Sequence, residues 1–95
     1  MLFAQVNADG TILSSSGGAA VTGTRIGTGT YAIDFGLNIV NCAYYATQGE
    51  GGVGGAAGAI MGVTDRSGNT EAAFVTVRSN ANALVDRAFQ LLVVC

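Results

Sequence analysis

The chain has 95 residues, of which 11% are charged and 49% are hydrophobic. Disordered chains combine low hydrophobicity with high charge, so this composition argues for one small folded domain spanning residues 1–95. Four basic residues, all Arg, against six acidic ones argue against a nucleic-acid-binding surface, which needs clustered positive charge. The chain also lacks His and Lys, which are common general bases and nucleophile activators. We therefore predict that the domain is not an enzyme and uses no cofactor or metal.

Short runs of β-type residues separated by Gly-rich segments indicate strands along most of the chain. Asp9-Gly10 and Gly27-Thr28-Gly29 predict hairpin turns, because Gly readily adopts a positive φ. We predict at most one helical turn within 80–88 and a mobile loop at the Gly-rich segment 48–58. This pattern predicts an all-β fold, a two-sheet sandwich of jelly-roll or Greek-key type with about eight short strands. The predicted strands are 2–8, 11–14, 21–26, 30–35, 39–47, 59–64, 71–78 and 88–95.

Alternation within the strands predicts which side chains share a face. In 39–47, Tyr44 and Ala46 share one face and Tyr45 lies on the other. The remaining predicted faces are Tyr31, Ile33 and Phe35 in the strand 30–35, and Ala73, Val75 and Val77 in the strand 71–78.

The last predicted strand is apolar on both faces, which is typical of a strand in the middle of a sheet or against another subunit. Leu91 and Val93 share one face, and Leu92 and Val94 share the other. Few charges are available to cover the outside of such a small domain, so we predict a homo-oligomer. The predicted interface residues are Leu92, Val94 and Phe74.

Two cysteines, Cys42 and Cys95, fall in predicted strands. A disulfide between them would close a loop of about 50 residues, and the chain-entropy model assigns such a loop roughly 4 kcal/mol. The alternative is two buried free thiols, since free Cys is among the most buried residue types. We predict the disulfide.

The acidic residues suggest local structure more than chemistry. Asp9, Asp65 and Asp86 fall in predicted turns, where a carboxylate accepts hydrogen bonds from the nearby backbone. Calcium is the alternative, but no stretch has the dense acidic spacing of a calcium loop. The arginines are predicted to be interface rim charges or to form the pairs Arg66–Asp65, Arg78–Glu71 and Arg87–Asp86.

The tyrosines offer the one candidate ligand surface. Tyr combines an apolar ring with a polar tip, so Tyr44 and Tyr45, with Tyr31, could stack against a sugar. The alternative is that these rings fill the core or an interface. No apolar run reaches the roughly 18 residues of a membrane span, so none is predicted.

Several segments resemble one kind of domain. They are 3–11, 27–31 leading into Phe35, 42–47, and the closing run 89–95. Together these are similar to a short β-rich C-terminal domain of uncharacterised bacterial extracellular proteins that are tail-fibre-like or collagen-like. The resemblance implies a secreted or surface-displayed assembly module, and it carries no active site.

Two functions are therefore expected. The first is a structural self-assembly domain at a cell or virion surface, with copies of itself as partners in a trimer, fibre or particle. The second is an adhesin or carbohydrate-binding module that binds a surface glycan through Tyr44 or Tyr45.

Overall fold

The structure, a computed structural model, describes residues 2–16, 21–48, 60–66, 68–79 and 81–94, with Ile60 described by its backbone alone. These residues form eight strands and no helix, which confirms the predicted all-β class. The predicted loop 48–58 lies outside the described residues after Gln48. The strands are β1 Leu2–Val6, β2 Ile12–Ser15, β3 Thr22–Gly27, β4 Thr30–Asp34, β5 Ala43–Gln48, β6 Ile60–Arg66, β7 Asn69–Arg78 and β8 Phe89–Val94.

The strands form two antiparallel four-stranded sheets that pack as a sandwich. Sheet 1 has the order β2-β1-β8-β5, and sheet 2 has the order β3-β4-β7-β6. Sheet 2 consists of two hairpins joined through the β4–β7 pair, whereas sheet 1 places the first and last strands side by side. β5 and β6 lie next to each other across the gap between the sheets, and β8 returns to pair with β5. This return gives the predicted Greek-key arrangement.

The first hairpin turn is built by Asp9 and Gly10. Gly10 has a φ of 92°, a conformation that L side chains rarely adopt. One Asp9 carboxylate oxygen accepts hydrogen bonds from the Thr11 amide at 3.0 Å and the Thr11 hydroxyl at 2.6 Å. The turn also packs closely on β3, because a Cβ added at Gly23 would lie 2.1 Å from the Gly10 carbonyl oxygen. Only glycine at position 23 permits this approach.

The core lies between the inner faces of the two sheets and follows the predicted alternation. Ala32, on the opposite face of β4 from Tyr31 and Ile33, is also buried, since the larger Phe74 lies beside it in register. The rings of Tyr31 and Phe89 meet edge to face across the core, with centroids 5.0 Å apart. The inward residues of the central strands are Tyr31, Ile33, Ala73, Val75, Val77, Ala4, Val6, Phe89, Leu91 and Val93, and all are buried.

The strand predicted at 39–47 begins four residues late, at Ala43. Asn41 has a φ of 72°, and the Cys42 amide donates to the Ile39 carbonyl oxygen at 3.1 Å, so a turn precedes the strand. Ile39 is nevertheless buried in the core. Its apolar character reflects this burial rather than strand geometry.

Candidate functional site

The outer face of sheet 1 carries a row of large apolar side chains. Leu92 in the central strand β8 is in register with Phe3 of β1 on one side and Tyr45 of β5 on the other. Phe3 is 40% exposed and Tyr45 is 66% exposed. We call Phe3, Leu92 and Tyr45 the apolar row. It forms because these three positions alternate with inward residues on all three strands.

A polar row runs parallel to the apolar row. Gln90 of β8 is in register with Gln5 of β1 and Thr47 of β5, and together they form the polar row. A groove of about 440 Å³ lies over the two rows, with three consecutive residues contributed by each of β1, β5 and β8. Its polar groups are neutral amides and a hydroxyl, which donate and accept hydrogen bonds without charge.

Charge is absent from all four strands of sheet 1. Their residues, in chain order, are LFAQV, ILSS, AYYATQ and FQLLVV. Val94 continues the outer face beside the exposed Ala43, and Leu13 on the edge strand β2 is 51% exposed. Leu92 and Val94 therefore share one surface with Phe3, which is not among the interface residues predicted from the sequence. The alternation of Phe3 and Gln5 with Ala4 and Val6 was the available signal for it.

Phe74 lies on the opposite side of the molecule. It is on the outer face of sheet 2, in register with Ala32 of β4 and Thr64 of β6. A groove of about 430 Å³ beside it is also lined by Ile26, Thr64, Asp65 and Arg66. The three predicted interface residues thus divide between two faces of the sandwich, and one of these faces is charged.

The three tyrosines occupy three different environments. Tyr31 is buried, Tyr44 points inward from β5 and is partly buried, and Tyr45 points outward. Because Tyr44 and Tyr45 are consecutive strand residues, their rings lie on opposite faces of sheet 1. Tyr45 is the one ring of the three that is open to a ligand.

Tyr44 closes the side of the sandwich where β5 meets β6. Its hydroxyl lies within hydrogen-bond distance of the Asp65 carboxylate on β6 and 2.9 Å from the Ile39 carbonyl oxygen. Burial raises the pKa of Tyr44 to about 12, and the hydrogen bond to the Asp65 carboxylate adds to this. The contact joins the two sheets through a neutral phenol and a carboxylate.

Asp86 gathers the polar groups at one end of the sandwich. Its carboxylate accepts from the Arg25 Nε at 2.9 Å and from the Gly29 amide at 2.8 Å. The Tyr31 hydroxyl donates to the Ala8 carbonyl oxygen at 2.7 Å and lies 3.2 Å from the Asp86 carboxylate. These contacts join the segment before β8 to the first two hairpins. We call Asp86, Arg25, Gly29 and Tyr31 the Asp86 cluster.

The Asp86 cluster bears on the predicted ion pairs and shifts the pKa values of its members. Among the described residues, the ion pair is Arg25–Asp86 at 2.8 Å, and none of the predicted pairs Arg66–Asp65, Arg78–Glu71 and Arg87–Asp86 forms. The alternative, that these arginines are interface rim charges, stays a prediction. The hydrogen bond from Arg25 lowers the pKa of Asp86, and the Gly29 amide lowers it further. Burial raises the pKa of Tyr31 to about 12, with a further increase from the nearby Asp86 charge. The missed partner lies 61 residues away in the chain, beyond the reach of local pattern.

The predicted Cys42–Cys95 disulfide involves one residue, Cys95, that lies outside the described residues. The register of β5 against β8 ends with Ala43 opposite Val94. Cys42 directly precedes Ala43 in the chain, and Cys95 directly follows Val94. The disulfide stays a prediction.

Within the described residues, no group of three or more His, Cys, Asp or Glu side chains has an arrangement that would hold a metal ion. In the same residues, no helix has the length and apolar character needed to cross a membrane.

Comparison with known proteins does not place the chain in a family. No protein-family model, no curated protein and no solved structure matches it.

Proposed function

We propose that this chain is a non-catalytic structural module that associates with copies of itself and is displayed at a cell or virion surface. The outer face of sheet 1 is the proposed contact surface. The observation that carries the proposal is the exposed apolar row, Phe3, Leu92 and Tyr45, in a sheet whose strands carry no charge. Soluble monomers rarely expose such patches without a partner.

A second copy is a suitable occupant because this face is electrically neutral. Packing two copies against each other through sheet 1 brings no like charges together. Because the strands of sheet 1 carry no charged residue, the contact also removes no strand charge from water. Fully burying one large apolar side chain contributes about 1.5–3 kcal/mol, and roughly half of this is still available from Phe3 and Tyr45. The amides and hydroxyl of the polar row can hydrogen-bond to the same groups on a second copy.

Display outside the cell is supported by the cysteines and by the resemblance of the sequence to extracellular domains. Disulfides persist in oxidising compartments and are rare in the cytosol. Ala43 lies opposite Val94 in the register of β5 against β8, and Cys42 and Cys95 are the residues next to these two in the sequence.

The test of self-association is the substitution Leu92→Asp. Burying an unpaired carboxylate in the contact should dissociate the oligomer, as measured by analytical ultracentrifugation. The matched control is Thr24→Asp, an exposed position on the edge strand β3 of sheet 2, which should leave association unchanged. A wild-type protein that is monomeric at all concentrations up to about 1 mM, which corresponds to roughly −4 kcal/mol of binding, contradicts the proposal.

A second candidate function is binding of a neutral glycan in the same groove. It is favoured by the exposed ring of Tyr45 next to the polar row, because a sugar offers an apolar face to a ring and hydroxyls to amides. Glycan-array binding that disappears in Tyr45→Ala but persists in Tyr45→Phe supports this function. Tyr44→Phe, which alters the inward face of the same strand, is the control. A glycan array without signal contradicts this second candidate.

A further inference from the structure

The residues expected to form one interface lie on opposite faces, and this limits how copies can associate. Leu92 and Val94 are on the outer face of sheet 1, and Phe74 is on the outer face of sheet 2. Three contacts are geometrically available: sheet 1 on sheet 1, sheet 2 on sheet 2, and sheet 1 of one copy on sheet 2 of the next. The first two are two-fold contacts that close at a dimer, whereas the third is head-to-tail and produces an open filament, or a ring where the rotation between copies closes.

Charged residues on the outer face of sheet 2 distinguish between these three possible contacts. Asp34 and Arg78 lie at outward positions of the central strands β4 and β7, and Asp65 and Arg66 line the groove beside Phe74. A filament contact would press these charged groups against the uncharged face of sheet 1. The charges would lose water without gaining a partner of opposite sign, which costs several kcal/mol for each buried ion.

We infer that the self-association is a two-fold contact of sheet 1 on sheet 1, so that the building unit is a closed dimer. This inference rests on the proposed function and specifies its partner as the identical face of a second copy. Phe74 and its groove stay outside the contact. The dimer leaves the charged face of sheet 2 in water on both outer sides.

The register of the outer face fits a two-fold axis parallel to β8. Leu92 lies in the middle of the apolar row, so the axis places it against the partner's Leu92. The same rotation places Phe3 against the partner's Tyr45, and Tyr45 against the partner's Phe3, which makes two aromatic pairs. Gln90 then faces the partner's Gln90, and amides can donate and accept in both directions. The facing rows of β1, β8 and β5 thus bring apolar residues against apolar ones and neutral polar residues against neutral polar ones, while the edge strand β2 lies outside the facing strands.

The size of the face sets the strength of the contact. Three facing strands, β1, β8 and β5, about 4.8 Å apart and about five residues long at roughly 3.3 Å per residue, make a flat contact of about 240 Å². Standard stable interfaces bury about 800 Å² on each partner, so this contact belongs with the small transient interfaces. We expect a dissociation constant in the micromolar range or weaker, and the measurement must span about 1 μM to 1 mM.

The experiment compares Leu92→Asp, Phe74→Asp and an equimolar mixture of the two variants by sedimentation velocity. Under the sheet 1 dimer, wild type and Phe74→Asp both form dimers and no larger species, while Leu92→Asp is monomeric. The mixture contains dimers of Phe74→Asp and monomers of Leu92→Asp, with no complex between the variants. Thr64→Asp, exposed and in register with Phe74, replaces Phe74→Asp if circular dichroism shows that the latter is unfolded.

A filament contact gives the opposite pattern. Wild type then grows beyond a dimer, each variant alone is monomeric, and the mixture forms a one-to-one complex because each variant retains one intact face. That result overturns the two-fold dimer and keeps self-association. A wild type that stays monomeric over the whole concentration range overturns self-association itself.

Discussion

Sheets 1 and 2 have the same number of strands and similar inner faces, yet their outer faces differ in charge. The strands of sheet 1 carry no charged residue. In sheet 2, Asp34 and Arg78 lie at outward positions of β4 and β7, and Arg66 lines the groove beside Phe74. The core needs only the inner faces, which are apolar in both sheets. The outer faces are free to differ, and we interpret the neutral outer face of sheet 1 as a surface for binding.

The connectivity of the two sheets also differs. Sheet 2 contains two hairpins, whereas in sheet 1 only β1 and β2 are joined by a hairpin and the β5–β8 pair is distant in sequence. In the chain, Cys42 directly precedes β5 and Cys95 directly follows β8. The predicted disulfide would therefore reinforce the sheet whose strands are least connected by local turns.

A large effect should come from breaking this disulfide. Reduction, or Cys42→Ser, should lower the free energy of unfolding by up to about 4 kcal/mol, because a loop of about 50 residues opens in the unfolded chain. Hydrogen exchange should rise more in β5 than in the hairpin of β3 and β4. Intact mass should show the oxidised chain two hydrogens lighter than the reduced one. Two free thiols in freshly purified, unreduced protein would sink the prediction.

The two faces of β8 can be compared with neighbouring substitutions. Leu91→Ala should lower the free energy of unfolding by about 2–5 kcal/mol, because Leu91 is 1% exposed and its loss leaves a cavity. Leu92→Ala should cost less than about 1 kcal/mol in the monomer, since its side chain is only partly covered. Urea unfolding at low protein concentration measures both. Equal losses would show that Leu92 belongs to the core.

Alkaline pH should lower the free energy of unfolding through one tyrosine in each sheet. Tyr31 of sheet 2 and Tyr44 of sheet 1 have their pKa raised from 10.0 to about 12. Between these values the unfolded chain releases the tyrosine protons while the folded chain keeps them, so stability is intact below pH 10 and falls towards pH 12. Tyr31→Phe and Tyr44→Phe should each make the decline less steep in urea unfolding at several pH values. An unchanged slope in both variants would contradict this.

Acid should weaken the Asp86 cluster, whereas the strands of sheet 1 offer no carboxylate to titrate. The pKa of Asp86 is lowered from 3.8 in the folded chain, so its contribution is present above that value and is lost as pH falls through the folded pKa. Asp86→Asn should reduce stability at pH 7 and make it less dependent on acid. The readouts are hydrogen exchange of the Gly29 amide and thermal unfolding. Equal acid sensitivity in wild type and Asp86→Asn would contradict this role.

The smallest effect should be that of salt on association. Raising the salt concentration from about 50 to 500 mM shortens the screening length severalfold, which weakens contacts between charged faces. The neutral face of sheet 1 should therefore give a dissociation constant that changes by less than about two-fold. A strong salt dependence would assign the contact to sheet 2.

Local pattern predicted the parts of the fold that depend on neighbouring residues. Alternation in β7 and β8 identified the buried face, and Asp9-Gly10 identified the first turn. The start of β5 was wrong, because the positive φ of Asn41 has no alternation signal. Burial in the core and strand pairing both favour apolar residues, so Ile39 was assigned to a strand although it is a core residue that precedes β5.

Contacts between distant segments could not be predicted in the same way. Strand pattern shows that Leu92 and Phe74 face outward, but the sheet to which each belongs depends on chain connections that are not encoded locally. The same is true of Asp86, whose partner Arg25 is on another hairpin. The apolar row could not be predicted without the strand order of sheet 1, because its three residues come from three strands that are far apart in the chain.

The pairing of the first and last strands has a consequence for protein engineering. Leu2 lies opposite Val93 on adjacent antiparallel strands, so polypeptide added before Leu2 or after Val94 leaves from the same end of sheet 1. A short linker can therefore join the two ends in a circular permutant, and the domain can be inserted as a folded loop into a host protein without stretching it. The outer face of sheet 1 stays uncovered in both designs, which makes such fusions a means of presenting that face at a chosen spacing.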